Sequence, residues 1–254
     1  METIKDALNN FAPITLKEMD NVKLMDRTDT KYVFRLDNLA AFLEQVKEDY
    51  RVLDVNGHRI SRYESLYFDT KNFDLYLTHH RGRPNRYKIR CRKYVESDLH
   101  FFEVKFKNNK GRTIKDRVKQ QLIDGSIKDK AEALLHEKTP LFAEHLEAKL
   151  WVNYSRITLV NKHSPERVTI DVDLTFKSTD SDKTIHNLVI AEVKQDKALV
   201  SSFIRLMKKY HVREGSMSKY CYGVTSLFGS IKHNNFKPKL ILIKKILNGT
   251  IAST

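Results

Sequence analysis

Polar and apolar residues alternate with a period of two along several stretches of the chain, most clearly in Arg86–Lys107. Lys88, Arg90 and Arg92 share one parity against Tyr87, Ile89 and Cys91. After a short polar break, Glu103, Lys105 and Lys107 alternate with Phe102, Val104 and Phe106. Successive strand side chains point to opposite faces, so each segment predicts a strand with one ionic and one apolar face. The same period recurs in Arg27–Leu36, where Arg27, Asp29 and Lys31 oppose Thr28, Thr30 and Tyr32. Arg112–Val118 places Thr113, Lys115 and Arg117 on one face, and Lys149–Asn161 does so with Tyr154, Arg156 and Thr158. In Glu166–Phe176, Arg167, Thr169, Asp171 and Asp173 oppose Val168, Ile170, Val172 and Leu174, and Leu188–Gln195 carries a second Glu-Val-Lys at Glu192–Lys194. The Asn56-Gly57 pair between Arg51–Asn56 and Arg59–Asp69 predicts a hairpin.

Helical spacing marks the intervals. Ile4, Leu8 and Phe11 predict a helical lead-in over 1–25; Asp37 is placed to cap a helix through Leu39, Phe42, Leu43 and Val46. A short helix is expected over Thr70–His80, closed by Gly82, and a largely helical stretch over Lys119–Ala148 with Leu134, Leu135, Leu141 and Phe142 in its apolar set. Phe203, Leu206 and Met207 mark another, Ser218 begins the next, and Lys237–Leu247 is a basic, apolar tail expected to pack on the sheet. With no Gly, Ser or Pro linker dividing the chain, a single main domain over 26–230 is expected, followed by the tail at 231–254. The fold class is α+β. Closing the sheet into an antiparallel barrel of about eight strands would turn the ionic faces into a lumen and leave the apolar faces outside for helices to cover.

Charge sharpens this picture. The 254-residue chain carries a formal net charge of +14, and Arg81–Lys119 holds fourteen Lys or Arg against four Asp or Glu, so +10 lies in 39 residues and +4 in the rest. A local field of that strength points to a polyanionic ligand. Nucleic acid is not the expected partner, because the basic strands lack an exposed aromatic stacking platform. The two cysteines, Cys91 and Cys221, have no metal spacing and suit a reducing, cytoplasmic setting; Cys91 is expected to be buried, and the His79-His80 pair to be at the surface.

The order Arg27-x-Asp29-x-Lys31-Tyr32, Tyr67-Phe68-Asp69-Thr70, Arg86-x-Lys88-x-Arg90-x-Arg92, Glu103-x-Lys105-x-Lys107 and Lys115-x-Arg117 resembles the VTC (vacuolar transporter chaperone) type of polyphosphate polymerase domain, in its bacterial form. Tyr154-x-Arg156, Arg167-x-Thr169-x-Asp171, Glu192-x-Lys194 and Ser218-Lys219-Tyr220 continue the likeness to Tyr222. The resemblance implies a triphosphate tunnel: an antiparallel barrel whose basic lumen grips ATP or a phosphate chain.

Carried over residue by residue, it implies that Lys31, Arg90, Arg92, Lys105, Lys115, Arg156, Arg167 and Lys219 line the tunnel. Lys88, Lys107, Arg117 and Lys194 are further candidates for phosphate contact. Catalysis would rest on Arg90, Arg92, Lys105, Arg156, Arg167 and Lys219. Glu192 would hold Mn²⁺ or Mg²⁺, with Glu103 as a second candidate whose expected role is pairing with Lys105 or Arg90. The sequence departs from the wider superfamily in lacking an N-terminal Glu-x-Glu-x-Lys. The implied activity is transfer of the terminal phosphate of ATP to a polyphosphate chain. A tripolyphosphatase or a non-catalytic phosphate-binding module, allied to a membrane-protein partner, is the alternative. Truncating Arg90 or Arg92 is expected to abolish binding while sparing the fold, by relieving repulsion in an empty lumen.

Overall fold

Strands with one apolar and one ionic face must bury the first against something, and here helices supply the cover. The computed structural model describes residues 1–20, 28–196, 199–215 and 218–249. In chain order the elements are α1 (Glu2–Asn9), β1 (Ala12–Ile14), α2 (Leu16–Asp20), β2 (Thr28–Arg35), α3 (Leu39–Val46), β3 (Tyr50–Leu53) and β4 (Ser61–Asp69). There follow α4 (Asp74–His80), β5 (Arg86–Tyr94), β6 (Leu99–Lys107), β7 (Thr113–Gln120), α5 (Asp129–Lys138), β8 (Glu147–Asn161) and β9 (Glu166–Lys177). The chain ends with β10 (Asp182–Ile185), β11 (Leu188–Gln195), α6 (Ser202–Lys209), α7 (Lys219–Leu227) and α8 (Lys237–Leu247). No helix of the described residues is long and apolar enough to cross a membrane.

The strands form one 11-stranded sheet whose main path runs β2-β11-β9-β8-β4-β5-β6-β7, with β1, β3 and β10 attached beside it. Every pairing along the main path is antiparallel. The path has eight strands, as the periodicity implies, but hydrogen bonds do not close it into a barrel: β2 and β7 are its two ends. The sheet curls around a cavity without a closing ladder between them. Part of the other β2 edge is occupied by the segment after α6, where Tyr32 bridges Glu214 and Gly215 N donates to Lys31 O.

The three larger apolar clusters lie under the helices, and a small fourth one joins Ile14, Leu53, Val55 and Val160. Tyr32, Phe34, Ile157, Val168, Ile170 and Val193 pack beneath α1, α3 and α6. Leu150, Val152, Phe176 and Leu188 pack with α4, α7 and α8. Leu66, Phe68, Ile89, Cys91, Phe102 and Val104 pack beneath α5. Cys91 is 1% exposed, as its parity with Ile89 implies. The C-terminal tail is a helix seated near β2, with Ile243 buried and Leu247 O accepting from Arg35 Nη1 at 2.6 Å.

Helix α7 lies so close to the sheet that Gly223 is confined: a Cβ there would stand 2.5 Å from Leu150 Cδ2 and 2.7 Å from Phe176 Cδ1. Overpacking of this kind costs about 1–3 kcal/mol. Gly223→Ala should therefore lower the melting temperature by several degrees, about 2–4 °C per kcal/mol for a chain of this size. A calorimetric melt of the variant checks it; an unchanged or raised midpoint would mean that α7 rides further from the sheet.

Several local expectations are corrected. The N-terminal 1–25 stretch is not wholly helical, because β1 leaves the helical path and pairs parallel with β3. The Asn56-Gly57 turn forms, with φ of 53° and 82° and an antiparallel Val55–His58 bridge across it, but the pairing stops there and β3 and β4 form no ladder with each other. Strand β8 is 15 residues long and takes β4 along Glu147–Arg156 and β3 along Leu159–Asn161, so the two lie in line on one edge. Asp37 is held by Arg35 Nε at 2.9 Å and caps nothing; a 3-10 turn at Leu36–Asn38 precedes α3 instead.

Within Lys119–Ala148 only α5 and a 3-10 turn at Ala143–His145 are helical. Gly125 sits at φ 83° and Pro140 follows an extended Thr139, which restricts the helix to ten residues and leaves Phe142 exposed at 54%. The expected start at Arg27 lies outside the described residues.

Candidate phosphate tunnel

The ionic faces of β2, β5, β6, β7, β8, β9 and β11 meet around a cavity of about 1120 Å³, with Ser218 and Lys219 entering from the start of α7. All twelve basic candidates line it: Lys31, Lys88, Arg90, Arg92, Lys105, Lys107, Lys115, Arg117, Arg156, Arg167, Lys194 and Lys219. Arg86 and Lys239 join them, so fourteen lysines and arginines face four carboxylates on the lining. Strand alternation accounts for most of this convergence. In the ladder Lys88 stands opposite Lys105 and Lys105 opposite Lys115, so three cations cross the sheet in one row.

Buried or half-buried carboxylates hold six of these cations in three sets. Glu103, fully buried, receives Arg90 Nε at 2.7 Å and Nη2 at 2.5 Å on Oε2, and its Oε1 is in ion-pair contact with Lys115, off the line of a good hydrogen bond. Asp171 receives Arg156 through two bonds of 2.5 and 2.8 Å, and Lys219 Nζ at 2.5 Å. Glu192 is held by Lys194 at 2.5 Å and Lys31 at 3.1 Å. Burial works against ionisation of Asp171, yet Arg156 and Lys219 outweigh it and draw its carboxyl down to about 2. The same contest, won by Arg90, Arg92 and Lys115, holds Glu103 well below the usual carboxylate range. Each set carries one surplus positive charge.

The middle of the cavity is less compensated. Arg92 donates to Ser65 Oγ at 3.0 Å and lies over the rings of Tyr63 and Tyr154; Lys88 donates to Ser218 Oγ at 2.8 Å. Among the described residues neither of them, nor Lys105, has a carboxylate in ion-pair contact. Burial pushes the Lys105 ammonium well below its ordinary value, and Arg90, Lys88 and Arg92 push it further. Such a cluster is costly when empty and is relieved by an anion.

The expected pairing of Glu103 with Arg90 is present, and that changes what truncating Arg90 does. Arg90→Ala would take the two-bond partner from a buried carboxylate, whereas Arg92 donates only to Ser65 and acts on Glu103 through space. Truncating Arg90 is therefore expected to cost the fold more than truncating Arg92. The alternation places Asp173 on the ionic face with Asp171, but its φ of 53° breaks that alternation and leaves it exposed, off the cavity lining. The histidines are not at the surface: His80 is 3% exposed and accepts from Asn235 N, while His79 lines the cavity. Burial among Lys88 and Arg86 drives the His79 imidazole down to about 2, so it is neutral.

Sequence reasoning missed the aromatic wall. Tyr67 accepts from Arg90 Nη1 at 2.9 Å and stacks on Tyr220, whose hydroxyl donates to buried Asp69 at 2.6 Å. Asp69 also takes the backbone N–H groups of Thr70, Leu75 and Tyr76, and so ties the start of α4 to α7. The signal was present, since Ser61, Tyr63, Ser65 and Tyr67 share one parity of β4. Lys239 had none, being delivered by a helix.

A divalent cation finds limited provision from the chain alone. Among the described residues no three His, Cys, Asp or Glu side chains converge on one point. Glu192 offers carboxylate oxygen at the cavity wall, beside a half-buried lysine at 3.1 Å that a stronger cation can displace. That donor set suits a hard ion that arrives with phosphate oxygens and keeps several waters.

The VTC domain family model matches residues 26–228. Among solved structures, a proposed adenylyl cyclase from Hippeastrum with a dominant triphosphatase activity superposes with a TM-score of 0.51 at 11% identity, covering 80% of this chain and 96% of that one. A proposed adenylate cyclase from Bacillus halodurans is similar at 12% identity and a TM-score of 0.49, covering 80% and 100%. One from Vibrio parahaemolyticus has 14% identity and a TM-score of 0.47, covering 79% and 99%. No curated protein matches the chain.

Proposed function

The chain belongs to the VTC domain family, and from that premise we propose that it is a metal-dependent phosphotransferase that moves the terminal phosphate of ATP onto a polyphosphate chain held in the cationic cavity. The observation that carries this reading is the row Lys88, Lys105 and Lys115 beside Arg92, a linear cluster with more positive charge than its carboxylates balance. A phosphate chain is a linear polyanion that such a cluster can neutralise. Arginine grips its oxygens with a planar fork and lysine adds a point charge.

Phosphoryl transfer asks the protein mainly for positioning and for stabilisation of developing charge. The terminal oxygen of the acceptor chain forms the new bond to the γ-phosphorus. The bond from that phosphorus to the β–γ bridging oxygen breaks, and its electron pair leaves with ADP. The acceptor oxygen is already ionised, so no side-chain base is needed. Arg90, Arg156 and Arg167 are assigned to orient the phosphates, and Arg92, Lys105 and Lys219 to neutralise the charge that gathers on the leaving oxygen. Mn²⁺ or Mg²⁺, when bound, would neutralise the β and γ oxygens, with Glu192 as its carboxylate.

Incubating the purified protein with ATP and Mn²⁺ should yield ADP and long phosphate chains, resolved by gel electrophoresis. Glu192→Gln should keep triphosphate affinity within a few-fold and lose metal-dependent turnover. Orthophosphate as the sole product would replace polymerisation by hydrolysis. A second reading, a phosphate-binding module without turnover, is favoured by the double engagement of Glu192 with Lys31 and Lys194; tight triphosphate binding with no metal-dependent product would establish it.

A further inference from the structure

His79 sits in the last turn of α4, and its ring reaches the same cavity as the basic strands. Its Nδ1 is shut off from water and has no hydrogen-bond partner. A buried polar atom is normally met by some partner, so one left unmet on a cavity wall marks a place where a ligand can supply it. His80, the next residue, turns away and accepts from Asn235 N at 3.1 Å.

The groups around the His79 ring come from several elements. Arg86 and Lys88 act on it from β5, Lys107 from β6 and Lys239 from the first turn of α8. Phe236, just before α8, leans on the ring with centroids 6.0 Å apart and planes at 50°. The histidines in ion-pair contact among the described residues are His100, His145 and His163, so no carboxylate offsets this field at His79. Burial and these four cations keep the ring neutral, and the empty cavity is spared one more charge.

A phosphate chain reverses the balance. Its ionised oxygens offset the surrounding cations, and they only accept hydrogen bonds. Such an oxygen can satisfy an unmet ring nitrogen only when that nitrogen carries a proton.

We propose that His79 is a conditional phosphate ligand, uncharged while the cavity is empty and protonated from solvent as a phosphate chain binds beside Lys88, so that the ring donates an N–H to one of its oxygens. The proton returns to solvent when the ligand leaves. This rests on the reading of the cavity as a phosphate site and adds a coupling between its occupancy and pH. An occupied site that binds one more proton than the empty one gains affinity as pH falls.

Calorimetric titration with inorganic tripolyphosphate, in two buffers of different protonation enthalpy, counts the protons exchanged on binding. Lys105, whose ammonium is also depressed, contributes to that count, as does the ligand itself. The decisive quantity is therefore the difference between the wild-type chain and His79→Gln. At the ordinary imidazole value of about 6.5 the wild type should take up roughly half a proton more than the variant. Its advantage in affinity should be about tenfold wider at pH 5.5 than at pH 7.5, and at pH 8.5 the two should agree within about threefold. A merely structural role would weaken binding alike at every pH. Nitrogen-15 NMR of the wild-type imidazoles needs no variant: the two His79 ring signals, separate in the empty protein at pH 6, should converge when tripolyphosphate is added. Equal proton counts in the two proteins, or a His79 ring that stays neutral with the ligand bound, would overturn the proposal and leave the phosphate site standing. Failure of the wild-type chain to bind tripolyphosphate would instead remove the phosphate reading itself, and the coupling with it.

Discussion

Replacing Glu103 by Gln should cost the ligand-free protein about 3–5 kcal/mol, the scale on which breaking a buried ion pair from one side destabilises. The carboxylate is fully buried and serves Arg90 and Lys115 together, so its loss leaves two cations facing each other across β6. For a chain of this size the melting temperature should fall on the order of 10 °C. Two further readouts separate this cause from a packing defect. Added tripolyphosphate should raise the midpoint of the variant more than that of the wild type, because the anion restores the missing charge.

The difference between the two proteins should also shrink in acid. The folded carboxyl lies below its unfolded value of about 4.3, so its stabilisation is complete above that pH and fades as pH falls toward the folded value. Thermal melts at pH 7 and pH 3 with and without the ligand give all three comparisons. A variant as stable as the wild type at pH 7 would mean that water, not Glu103, satisfies these cations.

Lys105→Met should act in the opposite sense on the empty protein. Lys105 is half-buried among Arg90, Lys88 and Arg92 and has no carboxylate in contact among the described residues, so its ammonium is a cost until an anion arrives. The variant should melt higher than the wild type at neutral pH and bind tripolyphosphate about a hundredfold more weakly, within the 2–5 kcal/mol expected for removing one partner of a buried charge pair.

The sign of the pH effect follows from the lowered ammonium. The unfolded chain binds this proton up to about pH 10.4, whereas the folded chain releases it earlier, so wild-type stability rises with pH across that window. The advantage of Lys105→Met should therefore narrow between pH 7 and pH 9.5. Paired melts and titrations measure both effects. A less stable variant would show that the lysine stem contributes packing that outweighs its charge.

These two residues illustrate what was legible in advance. Both sit on β6, two positions apart on the same face, and the alternation of Glu103, Lys105 and Lys107 with Phe102, Val104 and Phe106 already placed them on an ionic surface. It could not say that one is a compensated anchor and the other a frustrated cation. That depends on which strands lie to either side, and the ladder sets Glu103 between Arg90 and Arg117, and Lys105 between Lys88 and Lys115.

The hairpin expected at Asn56-Gly57 fails for a related reason. Turn chemistry is local and the turn forms, but the edge its strands join belongs to β8, about a hundred residues away in the chain. Likewise the period-two rule carried Asp173 onto the ionic face with Asp171, and one positive φ removed it.

The sequence by itself determined the strands with their two faces, the surplus of positive charge and the family to which that pattern belongs, because side-chain parity and charge are properties of the chain read in order. Only the tertiary structure decided that the ionic faces meet in one cavity without a closing ladder. It also decided which carboxylates neutralise which cations. Those outcomes depend on distances between strands remote in sequence, and at close range in a low-dielectric interior an ångström or two separates an ion pair from an unmet charge.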